Sequence, residues 1–231
     1  MPTLKAEQIF SLGRFLNITN TYLTSLIVVM IISVCFLIIR KKIALIPKSP
    51  QILIEIIFEK LYNYWLNIFG EKNIFLFSFC LTFFIYIIFA NWFGVLPLVN
   101  SLYIVKDHEK VHLLRSVYSD LNMSLALAII SIVFINVLCI IKIGRQFIKK
   151  FIGFIGFLEF VSELSKILSF SFRLFGNVFA GEILLLVISA LIPLFIPLPF
   201  IILEVFVGFV QAFIFFTLTT IFLRVALKDN H

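Results

Sequence analysis

The chain has 231 residues, of which 62% are hydrophobic and only 13% charged, with a formal net charge of +7. Soluble domains are ordinarily about 45–50% apolar and about 25% charged, so these proportions, with a mean hydropathy of +1.15, exclude a water-soluble enzyme and a disordered chain. The basic residues sit beside apolar runs and form no separate patch, which argues against nucleic acid and for a role in orienting membrane spans.

Met1–Asn20 holds Lys5, Glu7 and Arg14 but lacks the apolar core of a cleaved signal peptide and the Arg/Ser-rich, acid-free look of a transit peptide. Apolar runs of about 20 residues match the thickness of a bilayer's hydrocarbon core. The first predicted span is 22–39, stopped by Arg40, Lys41 and Lys42. Residues 50–69 interleave Glu55, Glu59 and Lys60 with apolar residues and Trp65. Three charges so close would be costly inside lipid, so this segment reads as an amphipathic helix lying in the interface. The second span is 74–98, with Asn91, Gly94 and Pro97 loosening its last turn.

Residues 100–120 are polar and carry Lys106, Asp107, His108, Glu109, Lys110, His112 and Arg115. His108 and His112 have helical spacing but no third ligand, which does not make a metal site. Asp120 occupies a position favoured for starting a helix. The third span, 121–141, ends at Lys142, Arg145, Lys149 and Lys150. Cys35, Cys80 and Cys139 lie within apolar stretches and read as small apolar side chains.

Beyond Phe151 the pattern changes. A helix over 157–191 would be ~52 Å long at about 1.5 Å per residue. Confining it to a core ~30 Å thick requires a tilt of about 55°, against an average near 20°. Pro193, Pro197 and Pro199 are expected to make the turn, and a last helix over 200–227 would be ~42 Å long. Gly153 and Gly156 offer an alternative break at the start of the first of these two helices. The fold class is therefore an all-α integral membrane protein: one membrane domain, 1–231, with five spans, an interfacial helix and a long, strongly tilted terminal hairpin. Segment 40–72 holds six basic and three acidic residues, and 142–150 four basic and none acidic, against three of each in 100–120. The imbalance predicts an outside N-terminus and an inside C-terminus.

An ionisable residue within a span marks function by default, because a central Arg costs about 2.5–3.5 kcal/mol even on insertion scales. Arg173 lies too deep to snorkel. At 100° per residue, Glu159, Lys166 and Asn177 fall within about 40° of it and make one polar stripe. Glu182 lies about 180° away, which argues against a purely structural pair with Arg173 within one helix. Glu204 and Gln211, seven residues apart, share a face of the last helix. Gln211 also suits interhelical hydrogen bonding, and Glu159 and Glu163 suit snorkelling toward headgroups. A buried guanidinium attracts a carboxylate from another subunit and keeps it ionised; away from it, that carboxylate must carry a proton. With Glu182 and Glu204 on one side and Glu159 or Glu163 on the other, the pattern describes a proton relay with a separator in the middle.

The string Ser169-Phe-Ser-Phe-Arg173-Leu-Phe-Gly-Asn177-Val-Phe-Ala-Gly-Glu182 resembles the hallmark of subunit a of the F-type rotary ATP synthase. Four further runs are similar to that family: Glu159-Phe-Val-Ser-Glu-Leu-Ser-Lys166, Gln211-Ala-Phe-Ile-Phe-Phe-Thr-Leu218, Ser119-Asp120-Leu-Asn122 and Asn91-Trp-Phe-Gly94-Val-Leu-Pro97. The resemblance spans about Asn91 to the C-terminus; the first 70 residues fit in hydropathy alone. It implies that Arg173 is the essential arginine facing the ring of c subunits, with Asn177 and Gln211 lining its surroundings. It also implies that Glu182 and Glu204 belong to the outer half-channel and Glu159 to the inner one. Several family members carry His at one of the positions matching Glu182 and Glu204; two Glu here suggest a relay of carboxylates and water.

The implied partners are the c-ring, peripheral-stalk b subunits, other ATP synthase subunits and lipid, with no cofactor. The implied location is a bacterial inner membrane or, alternatively, the mitochondrial inner membrane with an organelle gene. No Gly-rich phosphate loop occurs, so ATP chemistry would belong to other subunits. A self-contained channel or secondary transporter is the competing reading, but it calls for an inverted repeat or broken helices, neither of which the sequence displays.

Overall fold

A computed structural model describes residues 8–12, 16–44, 49–96, 99, 103–106, 109–144, 154–191 and 196–228. Helix α1 (Asn20–Lys42) begins where Thr19 accepts a hydrogen bond from the Tyr22 amide, and ends on Arg40, Lys41 and Lys42. Helix α2 (Ser49–Phe69) closes at Gly70, whose φ of 84° and N–H bond to the Leu66 carbonyl at 2.8 Å make the glycine stop expected of a helix C-terminus. Asn73 then caps α3 (Ile74–Val95) by accepting from the Leu76 amide. Asp120 does the same for α4 (Leu121–Ile143) through the Asn122 amide, as its position in the sequence predicts.

The last two helices are the longest. Helix α5 (Phe154–Leu191) has 38 residues and α6 (Pro197–Lys228) has 32, or ~57 and ~48 Å at the α-helical rise. Helix α5 runs through Gly156 without a break. Pro197 and Pro199, expected in the connecting turn, instead stand in the first turn of α6. A first-turn N–H has no intrahelical acceptor, so proline loses nothing there. Pro193, Gly153, Asp107, His108, Arg145, Lys149 and Lys150 lie outside the described residues.

The chain is an all-α membrane protein: α1, α3, α4, α5 and α6 are each long and apolar enough to cross a bilayer. The sequence reading did not anticipate two short antiparallel hairpins in polar segments, β1 (Gln8–Leu12) with β2 (Leu16–Thr19) and β3 (Tyr103–Lys106) with β4 (Glu109–His112).

Helix α3 is the most buried of the five spans. In lipid, helices gain little from hydrophobicity when they meet, so side-chain packing and hydrogen bonds decide which faces join. Phe83 of α3 meets Phe215 of α6 at 5.5 Å, and Phe79 stacks on Phe134 of α4 at 3.7 Å. Aromatic pairs of this kind contribute about 0.5–1.5 kcal/mol each. Asn91 donates to the Gly208 carbonyl at 3.2 Å and the Trp92 indole to the Val205 carbonyl at 3.1 Å. Helix α2 fills one end with buried Trp65 and Phe69, and Arg224 of α6 donates to its Ile68 carbonyl at 2.7 Å.

Helices α5 and α6 pack antiparallel along their length, through Lys166 over the Phe222 ring, Phe170 stacked on Phe215, Gln211 on the Arg173 backbone, and Glu204 against Gly181. This leaves a long face of α5 exposed.

Candidate functional site

The predicted polar stripe exists as a physical edge. Glu159, Lys166, Arg173 and Asn177 are all half-buried along α5, between its packed and exposed faces. Arg173 donates from Nη2 to Ser169 Oγ, one turn back, at 3.1 Å. Gln211 donates from Nε2 to the Arg173 carbonyl at 3.3 Å, and both residues line a narrow crevice with Phe170, Leu174 and Phe215. The structure thus brings Arg173 and Gln211 together, and gives Gln211 the interhelical hydrogen bond that its chemistry suited. Among the described residues Arg173 is in no ion pair, so the structural pairing with Glu182 or Glu204 is not formed.

On the exposed side of Arg173 the surface is made of small side chains. Ser162, Ser165, Ser169, Gly176 and Ala180 are all exposed and fall on one strip of α5 beside the arginine. Among the described residues, nothing beyond its own turn of helix lies within 4 Å of the place a Gly176 Cβ would occupy. Small residues in membrane helices let a second backbone come close.

Glu182 and Glu204 form a second centre. Nine residues separate Arg173 from Glu182, a displacement of ~13 Å along α5. Glu204 reaches from α6 to lie against Gly181, the residue before Glu182, whose Cβ would stand 2.7 Å from Glu204 Oε1. Glu182 Oε2 accepts from Arg115 Nη2 at 3.4 Å, with side-chain exposures of 11% for the arginine and 20% for the glutamate. Ser119 lies beside the same carboxylate. Glu182 Oε1 and Glu204 Oε2 are buried without a hydrogen-bond partner among the described residues. Nearby, Tyr118 is fully buried, and that burial holds its phenol well above the ordinary range, so it stays neutral.

Toward the other end of α5, Glu163 accepts from Asn136 of α4 at 3.1 Å and pairs with Lys166. Glu159 lies one turn further from Arg173, ~21 Å from it along the axis. The two ends of α5 thus carry separate carboxylates with the arginine between them, and Asn177 stands one turn beyond the arginine on the side of Glu182.

Arg115 is the residue that reading the sequence for function missed. It lay in a segment marked only as polar, and its partner is 67 residues away. The available signal was a lone basic residue just before a predicted span, with no acidic neighbour at helical spacing.

The model of the family described as ATP synthase A chain matches residues 22–224. The ATP synthase subunit a of Syntrophobacter fumaroxidans is 30% identical over 97% of this chain and 91% of its own length. That of Gloeobacter violaceus is 30% identical over 91% of this chain and 85% of its own. The chloroplastic ATP synthase subunit a of Oedogonium cardiacum is 35% identical over 65% of this chain and 59% of its own.

Proposed function

Because the chain belongs to the ATP synthase A chain family, we propose that it is the non-catalytic, proton-conducting stator subunit of an F-type ATP synthase, with two offset half-channels separated by Arg173. The observation that carries this reading is the isolation of Arg173. Its guanidinium is half-buried, bonded to a neutral serine, and set beside a strip of small residues where a partner helix fits. A cation so placed lacks a counter-charge within the described chain, and a carboxylate on a rotating c-ring would supply one. Gln211 fixes the backbone that carries it.

Glu182 and Glu204 then load and unload the ring carboxylate from the outer phase, and Glu159 does so from the inner phase. Each proton crossing 100 mV releases about 2.3 kcal/mol. Because the two routes meet the ring on opposite sides of the arginine, that energy is released only as the ring turns. The basic excess in 40–72 and 142–150 favours an outside N-terminus, and the bacterial relatives favour a bacterial inner membrane. The exposed apolar faces of α1 and α2 suit lipid and the peripheral-stalk b subunits.

The test is reconstitution in liposomes with and without the c-ring. Proton flux under an imposed potential is expected only when both are present. Flux through the chain alone would overturn the proposal in favour of a self-contained channel.

A further inference from the structure

We propose that Glu163, held in place by Asn136 of α4, is a positioning residue that cancels the charge of Lys166 and so leaves Arg173 the uncompensated cation on the polar edge of α5. The proposal rests on the assignment of Arg173 to the ring carboxylate and of Glu159 to the inner route.

Glu159, Lys166 and Arg173 follow one another at intervals of seven residues. Each interval leaves a net turn of about 20° and an advance of ~10 Å, so the lysine stands midway between the inner carboxylate and the arginine. A bare ammonium there would act twice. It would repel a proton passing between Glu159 and the ring, and it would offer the ring carboxylate a second cation to bind. At an effective dielectric constant near 20, unit charges ~10 Å apart bias one another about tenfold or more.

Three helices share in containing that charge. Glu163 Oε1 accepts from Lys166 Nζ, three residues further along α5, and Glu163 Oε2 accepts from Asn136 Nδ2 at 3.1 Å. The ammonium also lies over the Phe222 ring of α6, 5.1 Å from its centroid. Side-chain exposure is 15% for Glu163 and 27% for Lys166, so little water reaches the pair to screen it. Asn136 is the one amide in α4 between Asn122 and Lys142. An amide in an apolar span is costly without a partner, and among the described residues its partner is Glu163. Both oxygens of Glu163 are thus engaged by donors, whereas Glu159 is in no ion pair among the described residues. Glu163 serves as a fixed counter-charge, and Glu159 remains the carboxyl that exchanges protons with the inner phase.

The experiment uses the complete ATP synthase in inverted vesicles. It compares Glu163→Gln, Glu163→Gln/Lys166→Gln, Asn136→Leu and the triple variant that combines all three changes with the parent enzyme. ATP-driven pumping is read by a dye and subunit content by immunoblot. Glu163→Gln keeps the side-chain length and an oxygen for Asn136 but strips Lys166 of its counter-charge, and is expected to lower pumping about tenfold. Removing both charges should restore pumping to within about threefold of the parent, the difference one altered hydrogen bond makes in a membrane protein. Asn136→Leu should lower pumping by about the same threefold factor, and should cost nothing further in the variant that lacks both charges, where there is no counter-charge left to hold.

Parental pumping in an assembled Glu163→Gln enzyme would overturn the proposal. So would a double variant no better than Glu163→Gln, which would make Glu163 itself a carrier of protons. If Glu163→Gln does not assemble, Asn136→Leu decides. No loss, or a loss that persists once both charges are gone, marks a packing contact and overturns the proposal, as does failure of the charge-free variant to assemble. A parallel Arg173→Ala enzyme keeps two failures apart. If it assembles and pumps normally, the assignment of Arg173 has failed; if it is silent while Glu163→Gln pumps normally, only the cancellation of Lys166 has.

Discussion

Replacing Gly181 with alanine tests whether the position of the Glu204 carboxyl matters, without touching a titratable group. The added Cβ would fall 2.7 Å from Glu204 Oε1, 3.0 Å from its Cδ and 3.5 Å from its Cγ. Ordinary contact begins near 3.4 Å, so the carboxyl must retreat by about 0.7 Å. The end of a glutamate is flexible, and an off-rotamer torsion costs of order 0.5–1.5 kcal/mol. Alanine in place of glycine inside a helix returns roughly 0.5–1 kcal/mol. Stability should therefore change by less than about 1 kcal/mol, leaving assembly intact. Catalytic geometry is less forgiving: a 1 Å displacement can cost about 10²-fold, so a shift somewhat smaller than this should lower coupled pumping about tenfold. Dye-reported, ATP-driven pumping in inverted vesicles measures it, alongside subunit content and the thermal unfolding midpoint. An assembled Gly181→Ala complex that pumps at the wild-type rate would refute the claim that Glu204 acts from the position it holds here.

Arg173→Ala should abolish coupled pumping and let protons leak through membranes stripped of the catalytic head. A charge pair at 4 Å and an effective dielectric constant near 20 is worth about 4 kcal/mol, roughly a thousandfold bias. Arg173→Lys should also fail at coupled turnover but leak less than alanine, because it keeps a charge while losing the multi-donor fork. Glu182→Gln and Glu204→Gln should each reduce proton-driven ATP synthesis without preventing assembly, as read by synthesis rate against immunoblot; normal rates in both would remove the carboxylates from the route. Gly176→Ala, with nothing beyond its own turn of helix within 4 Å among the described residues, should leave the stability of the isolated subunit unchanged while lowering pumping in the complex, and Gly176→Leu should do so more severely.

The membrane architecture was legible because it rests on one-dimensional signals. Twenty-residue apolar runs, basic stops such as Arg40-Lys41-Lys42, and the cap at Asp120 are all local. The polar edge of α5 was legible for the same reason, since helical periodicity alone puts Arg173, Lys166, Glu159 and Asn177 together. What remained hidden depends on contacts between distant segments. Neither Arg115 with Glu182 nor Thr24 with the Arg115 amide has any signature in spacing, and the buried Asn20, Thr21 and Thr24 read as an ordinary polar helix start. The prolines were misplaced because the same residue types that end a helix also suit its first turn, and only the chain's path distinguishes Pro197 and Pro199 from a turn.

The ion pair between Arg115 and Glu182 also sets an order of events during biosynthesis. Its two halves are 67 residues apart, and at about 5–20 residues per second a ribosome needs roughly 3–13 s to go from one to the other. The contacts of α1 with this loop, Thr24 Oγ1 with the Arg115 amide and Thr21 Oγ1 with Asp120, need only residues up to Asp120, so every group in them has been made before Glu182. For those seconds only one half of the contact exists. Arrival of the terminal hairpin then supplies the carboxylate, so the contact registers that both ends of the membrane sector are in place.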